Sequence, residues 1–338
     1  MHVVQLVCSD GFAGVERYLV NLATGLAAQG VDVTVIGGAP GSMREALAGA
    51  QVAWRPGGSM LQALRELRSL RDVDLVNSHM SQADLVTALG RTGRDFRHVS
   101  TRHFGAPRGS SRPAAAVFAA VARRVDAQLA ISRFVADNVD GVSEVVHSGV
   151  ATRPLSADRV DEVLLVQRLE PEKDTATGLR AWAVSSARSR GWRLRVVGDG
   201  SQRRELEELA GALGVADSVE FLGFRTDVDA LLARAGALLA PTPREGLGIA
   251  VLEAMAHGTP VVASAGGGHL ETVGAVAPEV LFPPGDADAA ARALDALVAD
   301  PARRAALGAA LRERQQESFT LASQVSGTRR LYERVLAR

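Results

Sequence analysis

The stretch PTPREGLGIAVLEAMAHGTPVVAS, Pro241–Ser264, decides how the chain is read. Pro241 and Pro243 end the apolar run GALLA, and Gly246 and Gly248 loosen a turn. Ile249, Leu252 and Ala256 then recur at helical spacing. Gly258 closes that helix and PVVAS resumes an apolar run, so the stretch predicts strand, glycine turn, helix and strand. Such a turn leaves backbone N–H groups free at the positive end of a helix dipole, where a phosphate can be held. Glu245 precedes that terminus and Glu253 lies inside the helix. A carboxylate there repels phosphate but accepts from sugar or ribose hydroxyls. The eight-residue spacing alone says little: Glu162/Glu170 and Glu271/Glu279 repeat it, and only the middle pair brackets a Gly-rich helix start.

The same alternation extends along the chain. In the first half, strands are predicted at HVVQLV (2–7), VDVTVIG (31–37), DLVNSH (74–79), RHVST (97–101), AQLAIS (127–132) and EVVHSG (144–149). Between them lie amphipathic segments such as GVERYLVNLATGLAAQG, with Val15, Leu19, Leu22 and Leu26 on one face and Gly30 as the stop. A polar, Pro-containing linker spans 150–162, and a second series follows: VLLVQ, RLRVVG, SVEFLG, GALLAP and PVVAS. Strands alternating with helices imply α/β architecture with parallel sheets. We expect two Rossmann-like, doubly wound domains, 1–155 and 156–318, facing a central cleft with ligand loops at the strand C-terminal ends. A terminal helix over about 319–338 either caps the second domain or packs back on the first.

Composition narrows the function. Hydrophobic content of 47% with 22% charged residues describes a globular protein, and a formal net charge of zero gives no sign of a nucleic-acid partner. Residues 1–155 carry 16 Arg against 13 acidic side chains, a slight positive lean toward an anionic partner or membrane surface. Cys8 is alone, which excludes an internal disulfide and fits a reducing compartment. No secretory leader or membrane-spanning run is legible, so a cytoplasmic location is expected.

Lys173 is the only lysine among 38 Lys and Arg residues. It follows Arg168 by five positions in one strand-end loop, just before a helix starting near Asp174. Arginine can fork onto one phosphate while lysine reaches another as a compact charge. The alternative is a solvated loop in which Glu170, Glu172 and Asp174 neutralise both cations.

QRLEPEK and PTPREGLGIAVLEAMAHGTPVVAS together resemble the donor half of retaining, GT-B-fold glycosyltransferases of family 4. That family carries GRL…K after the first strand of its second domain and E-x7-E within the later motif. GFAGVERYLVNLATGLAAQG, VVGDGSQRRELEELAGALG and VEFLGFRTDV fit the same family, so the resemblance covers nearly the whole chain. It departs at Ala13-Gly14 for Gly-Gly, at HSGVA for NGVD, and at His269, where small or apolar residues are common. The resemblance implies transfer of a hexose-type sugar from a nucleoside diphosphate, without a metal or other cofactor, to an acceptor the sequence does not identify. Glu253 would bind ribose, and Glu245 with the N–H groups of Leu247, Gly248 and Ile249 would hold sugar and phosphate. Arg168, Lys173 and Gly14 would stabilise the leaving diphosphate, and His103, in STRHFG, would face the transferred sugar.

Other readings are weighed beside this one. His79 ends a strand in a structural or acceptor-side position. The triplets Asp72/Asp74, Asp227/Asp229 and Asp286/Asp288 precede a strand or begin helices, which are capping positions rather than metal ligands. Arg102, Arg108, Arg112, Arg123 and Arg124 around an apolar segment read either as solvated charges on a core helix or as a surface for an anionic or lipid-linked acceptor. A dinucleotide-dependent oxidoreductase needs Gly-x-Gly-x-x-Gly after its first strand, and neither domain opens that way. A non-catalytic sugar-nucleotide-binding protein and a sugar-nucleotide epimerase of the same fold remain open.

Overall fold

Short runs rich in Val, Ile and Leu, buried on both faces, become central parallel strands. The computed structural model describes residues 1–109, 112–155 and 158–338. The first series comprises β1 (His2–Val7), β2 (Asp32–Ile36), β3 (Val52–Arg55), β4 (Leu75–His79), β5 (Arg97–Arg102), β6 (Ala127–Ala130) and β7 (Glu144–Val145). These strands pair in the order β3-β2-β1-β4-β5-β6-β7, all parallel. The second comprises β8 (Val160–Val166), β9 (Arg193–Val197), β10 (Val219–Gly223), β11 (Ala235–Ala240), β12 (Val261–Ser264) and β13 (Leu281–Phe282). Their order is β10-β9-β8-β11-β12-β13, again parallel. Two α/β units with doubly wound parallel sheets therefore make up the fold. Two strands escaped the sequence reading. β3 is an edge strand with alternating half-buried and exposed positions, so it lacks an apolar run, and β13 has two residues.

The chain divides into Met1–Ser148 with Leu321–Arg338, and Gly149–Thr320. Residues 156 and 157 of the linker lie outside the described residues. The Leu321–Leu336 helix lies against the Gly14–Ala28 helix of the first unit. Arg329 donates to the Gln29 carbonyl at 3.2 Å, and Arg334 reaches Glu144 at 2.6 Å.

In each sheet the winding reverses beside the first strand of its series, between β1 and β4 and between β8 and β11. Loops leaving neighbouring strands there depart to opposite faces, which opens a crevice at the strand C-terminal ends. Around the first reversal the core is apolar on Val4, Leu6, Val76 and Phe96, yet Gln5, Asn77, Ser78 and His79 are fully buried in the same strands.

Helix contact in the first unit depends on a missing side chain. A Cβ on Gly25 would lie 2.4 Å from Val325 Cγ2. Gly25→Ala should therefore lower stability by about 1–3 kcal/mol through overpacking, against roughly 1 kcal/mol gained in helix propensity. Thermal unfolding of Gly25→Ala, Val325→Ala and the double variant should show the second change relieving the first. Strictly additive losses would contradict the contact.

Candidate functional site

The loops after β8 and β11 meet at the switch point of the second unit. Gln167, just past β8, ties them together. Its Nε2 donates to the Lys173 carbonyl at 3.0 Å and to Thr175 Oγ1 at 2.9 Å, and its Oε1 accepts from Thr242 Oγ1 at 3.1 Å. The chain turns through a short 3-10 segment, Pro171–Lys173. Asp174, at φ 50°, then caps the Thr175–Val184 helix through the Thr177 N–H. Lys173 Nζ donates to Glu245 Oε2 at 2.7 Å, with the two side chains only 18% and 21% exposed. Glu245 Oε1 accepts from the Gly246 N–H at 3.1 Å. The sole lysine thus holds a carboxylate from a different loop.

Arg168 does not join it. Its guanidinium is 56% exposed and pairs with Glu172 at 2.7 Å. Of the three acidic neighbours weighed as neutralising partners, only Glu172 takes one of the two cations. Glu170 accepts from Ser201 N and Oγ, and Asp174 is the helix cap.

The Ile249–Ala256 helix begins at Gly248, whose φ of 93° suits glycine and which has no side chain to cap the first turn. Leu247 is buried behind it, and Glu253 is a half-buried position on the helix. The loop after β12 presses on the Glu245 loop through backbone alone. A Cβ at Gly266 would lie 1.9 Å from the Pro243 carbonyl oxygen, at Gly267 2.1 Å from that of Glu245, and at Gly268 2.4 Å from Leu247 Cα. Gly268 N–H donates to the Glu245 carbonyl at 2.8 Å. His269 follows, fully enclosed, with Nδ1 donating to the Ser264 carbonyl at 3.0 Å. Burial lowers its pKa, Glu245 and the Ser264 contact raise it, and Lys173 lowers it, with the balance downward.

At the first unit's switch point the sheet is polar on both faces. One face carries Gln5, Asn77, His79, Thr101 and, just past β5, His103; Gln5 pairs in register with Asn77, and His79 with Thr101. His79 Nδ1 and His103 Nε2 are 2.9 Å apart. The Tyr18 ring meets His103 edge-on, with centroids 4.8 Å apart and planes at 85°. The other face carries Ser78, His98, Ser100 and Gln128. Arg108 is buried there, donating to Asp84 at 2.5 Å, Ser100 at 2.8 Å, Gln128 at 2.6 Å, and Asp140. Ser78 gives its proton to Asp84 at 2.5 Å, so His98 Nε2, 2.8 Å from Ser78 Oγ, is the donor of that pair. Gly14 opens its helix behind Ala13, whose N–H donates to Glu16 at 2.8 Å, and a Cβ added to Gly14 would meet nothing within 4 Å.

Two family models match consecutive stretches, one described as Glycosyltransferase Family 4 over residues 12–153 and one as Glycosyl transferases group 1 over 152–314. The chain belongs to glycosyltransferase family 4. Among relatives, 2-deoxystreptamine glucosyltransferase of Streptomyces kanamyceticus is 34% identical over 175 residues, covering 51% of this chain and 45% of that protein. The chain thus spans about half the length of such relatives. Glycogen synthase of Mycobacterium tuberculosis is 29% identical over 375 residues, covering 94% and 90%. The crystal structure of Anabaena HepE in complex with UDP-glucose superposes with a TM-score of 0.84 at 20% identity, covering 99% and 100%, which identifies the fold as GT-B.

Several site expectations for this family 4 chain change in the structure. Arg102 and Arg108 are buried rather than surface charges. Arg102 pairs with Asp140 at 2.8 Å and donates to the Ala106 carbonyl at 2.8 Å, so both arginines pin the loop after His103. The Arg112 side chain lies outside the described residues, and Arg123 and Arg124 are exposed. The Arg112–Ala122 helix is no ordinary core helix either: Val121 is buried, while Ala115, Ala116, Val117, Ala119 and Ala120 are exposed. Asp286 caps a helix through the Ala289 N–H, Asp227 pairs with Arg225, and Asp74 accepts from the His2 N–H. Gln167 and Thr242 were missed. The signal available was a glutamine standing where the family motif has glycine. Among the described residues, no helix is long and apolar enough to cross a membrane.

Burial makes the first unit acid-sensitive. It lowers the His98 pKa to about 4 and, with Arg102 nearby, that of His103 to about 3; burial and His103 push His79 well below its ordinary value. Unfolded histidines protonate near 6.5. As pH falls below that value the unfolded chain binds protons that the folded chain refuses until near the lowered values. Stability is therefore full above about 6.5 and falls by roughly 1.4 kcal/mol per pH unit for each such histidine. Melting temperature should drop steeply between pH 6 and 4.5, and a flat profile there would count against neutral buried rings.

Proposed function

We infer that the chain transfers a hexose-type sugar from a nucleoside-diphosphate sugar to an acceptor hydroxyl, with retention at the anomeric carbon and without a metal. The observation that carries this reading is the Lys173–Glu245 pair, drawn from two loops across a switch point, with Glu245 in the loop that leads into the Ile249–Ala256 helix at Gly248. Glu172 holds Arg168 and Glu245 holds Lys173. A diphosphate at the helix terminus competes for Lys173 and releases Glu245 to accept from sugar hydroxyls. Arg168 is as readily recruited, because an exposed pair such as Arg168–Glu172 is worth about 0–1 kcal/mol. The N–H groups of Leu247, Gly248 and Ile249 complete the anion cradle, and Glu253 takes the ribose. Gly14 and His103 are assigned to the donor by the family resemblance alone.

In the reaction, the bond between the anomeric carbon and the diphosphate oxygen breaks, and its electron pair leaves with the diphosphate. The cations and the helix terminus stabilise that charge. The acceptor oxygen bonds to the same carbon from the leaving-group side and gives its proton to a diphosphate oxygen. The similarity to a 2-deoxystreptamine glucosyltransferase and to the UDP-glucose complex of the Anabaena neighbour supports a hexose and makes UDP the first nucleotide to test. The exposed apolar residues of the Arg112–Ala122 helix support an apolar or lipid-linked acceptor. Any peripheral membrane contact rests on Arg123 and Arg124 among the described basic side chains of that segment.

Thermal-shift measurements with UDP, GDP, ADP and dTDP test the reading. A nucleotide at one hundred times its Kd should stabilise the fold by about 2.7 kcal/mol. Turnover of the matching nucleotide sugar should persist in EDTA. Absence of any shift would remove the donor site, and loss of turnover restored by Mg²⁺ or Mn²⁺ would remove the metal-free mechanism.

Lys173→Ala should slow turnover about 30- to 1000-fold, equivalent to roughly 2–4 kcal/mol of lost leaving-group stabilisation. Because Lys173 is paired and largely enclosed, not a free loop charge, the variant should also lose on the order of 1 kcal/mol of stability. Lys173→Arg keeps the charge but replaces a compact ammonium with a planar fork, and should recover only part of the rate. Wild-type turnover in Lys173→Ala would make the solitary lysine incidental.

A further inference from the structure

The polar ladder across β1, β4 and β5 has a direction. Thr101 Oγ1 donates to Asn77 Oδ1 at 2.9 Å, so the amide nitrogen of Asn77 points the other way. That nitrogen donates to Gln5 Oε1 at 3.0 Å and to Tyr332 Oη at 2.7 Å, and Gln5 Nε2 donates to the same Oη at 3.1 Å. Gln5 Oε1 also lies 3.0 Å from His79 Nε2. An amide oxygen only accepts, so the proton of that contact belongs to His79 Nε2. A neutral imidazole has one N–H, which leaves His79 Nδ1 as a lone pair. The 2.9 Å contact from that nitrogen to His103 Nε2 then requires the proton on His103, and leaves His103 Nδ1 as a lone pair too. Burial keeps both rings neutral.

Tyr332 anchors the sequence of bonds. Its hydroxyl, on the Leu321–Leu336 helix, is the acceptor shared by both amide nitrogens. Were Gln5 and Asn77 to exchange oxygen for nitrogen together, Gln5 would donate to His79. The His79 proton would move to Nδ1, and His103 Nε2 would become the acceptor. The hydrogen-bonding role of His103 Nδ1 would then invert, from acceptor to donor. We propose that Tyr332 is a positioning residue that acts through Gln5, Asn77 and His79 to fix His103 as a hydrogen-bond acceptor at Nδ1. A ring fixed in this way matches a hydroxyl and rejects an anionic or carbonyl oxygen. That the hydroxyl belongs to a sugar rests on the proposed function; the ring polarity does not.

Long-range ¹H–¹⁵N spectra of protein labelled with ¹⁵N-histidine report which ring nitrogen carries the proton, with His103→Asn and His79→Asn used for assignment. Both rings should be in the Nε2–H form between pH 6 and 8. Tyr332→Phe, which keeps the ring and removes the shared acceptor, should populate the Nδ1–H form in both. It should also lower kcat about tenfold while leaving the nucleotide Kd within about twofold. Gln5→Glu supplies a carboxylate that can only accept, with Tyr332 now donating, and should keep the Nε2–H form. Wild-type tautomers in Tyr332→Phe would overturn the proposal whatever its melting temperature, and so would Nδ1–H rings in Gln5→Glu. If wild-type protein turned over no nucleotide sugar, the functional reading would fail while the spectra still decided the relay.

Discussion

The arrangement of the second unit depends on a contact that admits no side chain. Gly266, Gly267 and Gly268 lie so close to Pro243, Glu245 and Leu247 that any Cβ would fall within 2.4 Å of backbone. Gly267 also holds a φ of 59°, which glycine adopts at little cost. Backbone against backbone is the stiffest way to fix a loop, because no rotamer can relax it. The Gly268 N–H on the Glu245 carbonyl completes the clamp. Glu245 is therefore positioned from behind, by the loop after β12, before its carboxylate meets Lys173. The loop carrying Lys173 is fixed by Gln167, whose amide bonds to that loop and, through Thr242, to the Glu245 loop. Two loops, cross-linked by Gln167, deliver one cation and one carboxylate to 2.7 Å.

That geometry gives the two loops a specific electrostatic state. A half-buried ammonium without a partner would be costly, and so would a half-buried carboxylate. Pairing them offsets both costs. The Lys173–Glu245 bond is not simply a stabilising bridge, since its worth in the folded chain is set against the ligand contacts that replace it. A planar guanidinium at this position would hold a carboxylate in two bonds and release it less easily.

How much of this was legible in the sequence depended on range. The Ile249–Ala256 helix, its glycine start and the β12 return were readable because period, stop and turn residues lie within one local stretch. Lys173 stood out because its type was unique, and Arg168 and Lys173 were correctly placed in one loop. The partner assignments were not readable. Nothing local says that Arg168 takes Glu172 while Lys173 takes a carboxylate 72 positions away. Arg102 and Arg108 looked like surface charges because arginine is rarely enclosed. Their burial depends on Asp84 and Asp140, distant in the sequence and each within bonding reach. Tyr332 was one aromatic in a terminal amphipathic pattern; its bond to Gln5 spans 327 positions.

The first unit shows what such long-range polar bonding costs and returns. A doubly wound sheet is most stable with apolar side chains on both faces, yet here β4 and β5 carry hydroxyls and imidazoles on both. An apolar replacement would remove the acid sensitivity that comes with refusing protons at His79, His98 and His103. It would also remove the bonds that set the direction of the His79 and His103 rings, because an imidazole without hydrogen-bond partners has no contact to select its tautomer. Each bond in the ladder is individually modest, on the order of 1 kcal/mol. Their value lies in being connected: a buried amide that must satisfy a hydroxyl, a second amide and an imidazole has one orientation left, and the imidazole inherits it. The folded state gives up stability below neutral pH and gains a ring whose donor and acceptor ends are decided before any ligand arrives.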